Sequence, residues 1–333
     1  MKTTGDGRLR TVQVEESLQS PGSTTRGWEL ETVTGWLPSP PMPQLLHVVR
    51  GFLMGSADVV PGVSGGTIAL VLGIYPRLVH AIRTGAGALG ALVRGRFADA
   101  LERTKAVEWR FLLPLLAGIG LAIVSLAALI EHFLQEQPTN TAAVFFGLVV
   151  ASIVVAWPMV AQWDQSRFTT AAGVAAAAFL ILGLRSSELT DPSTLLFIGA
   201  GAIAIVAMIL PGISGSFILL MLGMYEAVLA AVNDRDLVVI AVFGFGAVIG
   251  LALFSTFLDR MLRDHHDTMM AGLIGLMIGS LRVLWPWPDG TDTANLGSPA
   301  DPLAPLLLAF AGFVVVMVIA QLGTHRTEVA SSQ

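Results

Sequence analysis

From about Gln44 to Gly323 the chain is a succession of apolar runs separated by short polar interruptions. Ten runs can be read, at about 44–60, 63–82, 111–134, 141–162 and 169–184, then at 193–210, 213–232, 238–262, 268–286 and 303–323. Six or more are roughly 17–25 residues long, enough to cross a hydrocarbon core of about 30 Å as helix. The pattern predicts an all-α polytopic membrane protein. Residues 1–43 are polar, rich in Ser, Thr and Gly, and end in PSPPMP. They lack an apolar run near Met1, read as a disordered tail rather than a cleaved signal peptide, and sit on the cytoplasmic side.

The apolar body repeats itself. Ala57–Ile82 aligns with Ala207–Val232, pairing Pro61 with Pro211, Gly62 with Gly212, Ser64 with Ser214, Gly65 with Gly215, and Tyr75 with Tyr225. IGLA at 119–122 returns at 249–252, and Gly147, Ser152, Trp157 and Pro158 return as Gly275, Ser280, Trp285 and Pro286. Three elements in one order indicate an internal duplication, a common transporter plan. The expected organisation is a repeat over 44–185, a second over 186–323, and a short cytoplasmic tail over 324–333.

Lys and Arg set the expected orientation. The 83–110 connection holds Arg83, Arg94, Arg96, Arg103, Lys105 and Arg110, which makes it cytoplasmic. The stretches 163–168 and 259–267, with Arg167, Arg260 and Arg263, fall inside with it. Those at 131–140 and 287–302 carry no Lys or Arg and fall outside. Single arginines at 185 and 235 lie in outside loops. On this reading both termini are cytoplasmic and the two repeats are inverted. The first PGVSGG enters from the cytoplasm and the second motif, PGISGS, from outside. Ser64 to Tyr75 is eleven residues, about 16 Å of helix. With Tyr75 at the headgroup level the motifs would lie near the midplane, as two re-entrant hairpins meeting tip to tip.

Composition removes other chemistries. The chain is 54% hydrophobic and 13% charged, against about 25% charged in soluble domains. It has no cysteine, so disulfides, thiol catalysis and thiolate metal sites are excluded. No metal or redox cofactor is implied. The basic 83–110 loop reads as a membrane-surface anchor on anionic lipids, not as a nucleic-acid site.

Pro61 and Pro211 end the helices before them. Ser64 and Ser214 then stand at N-cap positions, ahead of unpaired N–H groups that carry the positive end of a helix dipole. Two such segments facing one another would suit an anion, phosphate above all. The alternative is that Gly, Ser and Pro only permit close helix packing. Candidate contacts are Gly62, Ser64, Gly65, Gly66, Thr67, Gly212, Ser214, Gly215 and Ser216. Arg50 and Arg282 are candidate countercharges, each also readable as a snorkelling interfacial cation. Asp58, one turn before Pro61, could order the motif, relay a proton or pair with Arg50; an intramembrane carboxylate is a functional candidate by default.

A catalytic reading competes. Gly62-Val63-Ser64-Gly65 fits the G-x-S-G string of rhomboid intramembrane proteases, but a nucleophile needs a base within reach. The six histidines lie at segment ends or in loops. Duplication of the serine motif also serves transport rather than catalysis.

SADVVPGVSGGTIALVLGIYPRLV and LPGISGSFILLMLGMYEAVL resemble the two hallmark stretches of the PopT polyprenyl-phosphate transporter family, and the resemblance extends over about 44–323. It implies a plasma-membrane flippase returning undecaprenyl phosphate or a similar lipid carrier from the outer to the cytoplasmic leaflet, which recycles the carrier for cell-envelope polymers. The expected partners are the polyprenyl phosphate, membrane lipids and a coupling proton or sodium ion, with no catalytic residues. A transporter of a small soluble anion and a membrane enzyme acting on lipid phosphates are the alternatives.

Overall fold

The apolar runs fold as helices, but glycine divides them more finely than hydropathy suggests. The computed structural model describes residues 44–59, 63–184, 189, 192–287, 296–299 and 301–331. The polar stretch 1–43, with Val60, Pro61 and Gly62, lies outside them. The helices are α1 (Gln44–Asp58), α2 (Gly65–Val71), α3 (Tyr75–Val93), α4 (Phe97–Ala106), α5 (Trp109–Glu136), α6 (Pro138–Ala156), α7 (Gln165–Ile181), α8 (Thr194–Ile209), α9 (Gly215–Met221), α10 (Tyr225–Asn233), α11 (Leu237–Asp264), α12 (His266–Ser280) and α13 (Leu303–Ser331). No strand occurs among the described residues.

Among the described residues, four segments are long and apolar enough to cross a membrane: Trp109–Leu126, Pro138–Met159, Leu237–Asp264 and Leu303–Gln321. A fifth is added if α9 and α10, bent by 114°, count as one. Large apolar side chains such as Val124, Leu237, Leu253 and Leu303 point outward, as a lipid-facing surface requires. The protein is therefore a multi-pass membrane protein.

The runs at 63–82 and 213–232 are not single helices. Gly73 and Gly223 each adopt φ of +67°, a left-handed conformation that glycine tolerates and that ends a helix. The resulting α2 and α9 have seven residues each, about 10 Å, or a third of the hydrocarbon thickness. The 16 Å helix expected between Ser64 and Tyr75 is absent. Tyr75 faces the protein interior rather than lipid: it is 1% exposed. The 83–110 connection also folds more than expected. α3 continues to Val93, and α4 is a separate surface helix.

Local structure repeats along with the sequence. Gln137, between α5 and α6, and His265, between α11 and α12, have nearly the same backbone angles (φ −138°, ψ 54° and φ −139°, ψ 48°). α1 packs on α5 as α8 packs on α11, and α6 packs on α13 as α12 packs on α7. The last helix of each half is thus held by the other half. Small residues make these contacts close. A Cβ on Gly51 would strike the Leu115 carbonyl, and one on Gly55 the Ile119 carbonyl. Successive contacts advance together, so α1 and α5 run in the same direction. Gly246 and Gly250 meet Ile198 and Ala202 in the same way in the second half. Without a hydrophobic drive between helices in lipid, such close backbone approach is what holds them.

Candidate functional site

Residues 64–67, which follow the first Pro-Gly pair, meet residues 208–212, which include the second. Thr67 Oγ1 accepts a hydrogen bond from the Gly212 N–H at 2.8 Å. Ser64 Oγ donates to the Met208 carbonyl at 3.2 Å and accepts from the Gly66 N–H at 3.0 Å. Tyr75 reaches the same place, its hydroxyl donating to the Ile209 carbonyl at 3.2 Å. Small size permits the contact: a Cβ on Gly66 would lie 2.7 Å from the Ile209 carbonyl oxygen. Gly212, with φ of +88°, turns its N–H toward Thr67. Ser64, Thr67, Ser214 and Ser280 are all buried, forming a polar junction inside an apolar bundle.

The halves are not chemically equivalent there. In the first motif the Asp58 carboxylate accepts from the Gly65 N–H at 2.6 Å. Glycine at 65 allows this, since a Cβ would stand 2.5 Å from Asp58 Oδ2. The place of Asp58 in the second half is taken by Met208, whose side chain lies over Gly215, 2.7 Å from where a Cβ would be. Ser214 caps no N–H with its side chain; its hydroxyl shares a 2.8 Å hydrogen bond with Ser216. Ser280 backs the second motif, its Oγ 2.7 Å from a Cβ built on Gly212. The first motif therefore carries its own tethered carboxyl group, and the second presents hydroxyls.

Of the candidate residues, Asp58, Ser64, Gly65, Gly66, Thr67, Gly212, Ser214, Gly215 and Ser216 belong to the two segments of the junction. Gly62 is outside the described residues. Arg282 follows α12 and reaches across to α7, its guanidinium carbon 4.6 Å over the Phe179 ring and against Gly183. Arg50 is eight residues before Asp58 on α1, about 12 Å along the axis. Asp58 and Arg50 form no ion pair with each other.

Three features escaped the sequence reading. Tyr75 is buried and bonds the second segment, and the signal for it is its pairing with Tyr225 beside both motifs. The Asp58-to-Met208 mismatch was present in the alignment and marks the asymmetry. Asp259 is 4% exposed on α11 and takes Arg83 of α3 at 2.5 Å, Arg263 at 2.8 Å and His80 at 3.3 Å. A lone acid in the apolar run 238–262 was the available signal for it.

Fold and junction together define a class: an all-helical membrane protein in which two broken-helix segments meet at a buried polar junction. Residues 54–298 match the Undecaprenyl phosphate translocase-like family, and the chain belongs to that family. It is 40% identical over 251 residues to a polyprenyl-phosphate transporter of Vibrio cholerae, a match covering 74% of this chain and 80% of that protein. It is 30% identical over 260 residues to a polyprenyl-phosphate transporter of Staphylococcus aureus, covering 72% and 86%. No solved structure matches it.

Proposed function

We propose that the protein transports polyprenyl phosphate across the plasma membrane, from the outer to the cytoplasmic leaflet, through the junction of its two Pro-Gly segments. The observation that carries this reading is the direct polar contact between the segments, Thr67 to Gly212 and Ser64 to Met208. Hydroxyl and N–H donors gathered in an apolar bundle suit the oxygens of a phosphate head, while the isoprenoid tail stays in lipid. The names of the two relatives support the substrate.

In this scheme Ser64, Gly65, Gly66, Thr67, Gly212, Ser214, Gly215 and Ser216 hold the phosphate. Arg50 and Arg282 supply positive charge on the approaches. The Asp58 carboxylate occupies the Gly65 N–H that a phosphate oxygen would take. An arriving phosphate displaces it or meets it protonated, and the protonated route is the one that couples transport to a proton through Asp58. The halves, 44–185 and 186–323, are inverted in the membrane with both termini cytoplasmic, and rocking of one against the other exposes the junction to each leaflet in turn. The scheme is transport rather than catalysis: the Ser64 hydroxyl proton is directed at a backbone carbonyl, not at a base.

Leaflet-resolved labelling of polyprenyl phosphate in cells with and without the protein tests the proposal. Loss of the protein should leave the lipid accumulating on the outer face. An unchanged distribution, with no compensating transporter present, would contradict it.

A further inference from the structure

We infer that His47, Arg50 and Arg77 form a second phosphomonoester-binding station, at the end of the bundle where α1 and α5 begin, separate from the motif junction. The inference rests on the transport reading above and adds a site to it.

Phe111 of α5, 0% exposed, is the shared platform. His47 of α1 meets it edge-on, with ring centroids 5.1 Å apart. Arg77 of α3 lies over its face, the guanidinium carbon 4.3 Å from the centroid. Arg50 follows His47 by three residues, on the same side of α1. Arg50 and Arg77 repel one another, and both act on His47. The cluster is short of negative charge. Glu108 accepts from Arg77 Nε and Nη2 at 2.8 and 2.5 Å, and no carboxylate pairs with Arg50 among the described residues. His47 is 3% exposed, yet its Nδ1 has no hydrogen-bond partner there. A buried polar atom left unpaired calls for an explanation, and an anion held by the three side chains would give it a partner.

The second half places apolar residues at the equivalent positions. By the register that pairs Asp58 with Met208, His47 becomes Phe197, Arg50 becomes Ala200 and Arg77 becomes Ala227. All three replacements pack in an apolar cluster. The register of IGLA replaces Glu108 by Val238. One half therefore holds cations where the other holds core. His47 and Arg50 also precede the residues that match the family, 54–298.

Two guanidiniums and an imidazole are suited to a phosphate dianion through charge-assisted hydrogen bonds. Leu45, Val49 and Leu113, all exposed apolar residues on the same helices, offer a surface for a hydrocarbon tail. The shared chemistry is a phosphate group, carried by a prenyl lipid or free in solution.

The test is equilibrium binding of farnesyl phosphate, and separately of inorganic phosphate, to the purified full-length protein in detergent, with melting temperature recorded for each variant. Arg50→Gln and Arg77→Gln should each weaken farnesyl phosphate binding about tenfold, the size expected for a charge-assisted contact. The triple variant His47→Phe, Arg50→Ala, Arg77→Ala copies the second half. It should keep its melting temperature and lose the site. Inorganic phosphate binding with the same losses, and as tightly, would make free phosphate the source; much weaker binding would make it the lipid headgroup. Wild-type affinity in the triple variant, or losses that only follow a fall in melting temperature, would overturn the station while leaving the transport reading intact. Failure of the wild-type protein to bind farnesyl phosphate at all would overturn both.

Discussion

At Asp58 a carboxylate already holds the N–H that a phosphate would need. Asp58→Asn keeps an acceptor for the Gly65 N–H and removes the charge. Its melting temperature should stay near wild type, whereas Asp58→Ala should lose about 1 kcal/mol, as when a helix cap is removed. If Asp58 carries the coupling, transport by the Asn variant should no longer respond to a pH gradient across the membrane. A response equal to wild type would remove Asp58 from that role. Gly65→Ala drives a methyl into the same carboxylate. It should impair transport more strongly than Gly73→Ala in normalised assays, because no heavy atom lies within 4 Å of a Cβ at Gly73 and the cost there is backbone strain alone.

The breaks between helices decide where the polar groups meet. Gly73 and Gly223 cut the apolar runs to leave the short α2 and α9. α3 then turns toward α11, where Asp259 gathers Arg83 and Arg263. This contact ties the first half to the second. Asp259→Asn should lower stability by about 1 kcal/mol, since the arginines it leaves unpaired are 35% and 56% exposed and water screens part of the loss, and should loosen α3 in hydrogen exchange. Unchanged protection of α3 would show that the ion pairs do not hold the halves together. Much at this scale was legible beforehand. The Pro-Gly pairs, their serine caps and the order of the apolar runs follow from residue type and spacing. The breaks at Gly73 and Gly223 were missed because a glycine in an apolar run looks the same to hydropathy whether it sits in a helix or ends one. The burial of Tyr75 against Ile209 was hidden for a related reason: the contact depends on how the run turns, which hydropathy does not record.

Across the whole molecule, the recurring pairings α1 on α5 and α8 on α11, with α6 on α13 and α12 on α7, make two halves that interlock. The recurring motifs are legible in the sequence because order and spacing survive divergence. The sequence reading did not anticipate the difference between the halves at Asp58 and Met208, which appears only when the repeat is read for mismatches rather than matches. Orientation remains testable by labelling: a cysteine at Thr139 should react with an impermeant thiol reagent from outside, and one at Ala98 should not. The reverse pattern would contradict the assignment of faces. The central claim is that the two segments act as one site. The most direct measurement is movement of polyprenyl phosphate between leaflets in proteoliposomes holding wild-type protein, Thr67→Val, or Ser214→Ala. Thr67→Val leaves the Gly212 N–H without its acceptor, and Ser214→Ala removes a hydroxyl from the opposite segment. The wild-type protein should accelerate movement, and each variant should lose most of that acceleration per folded molecule. Full acceleration in either variant, at wild-type abundance and melting temperature, would contradict a shared site.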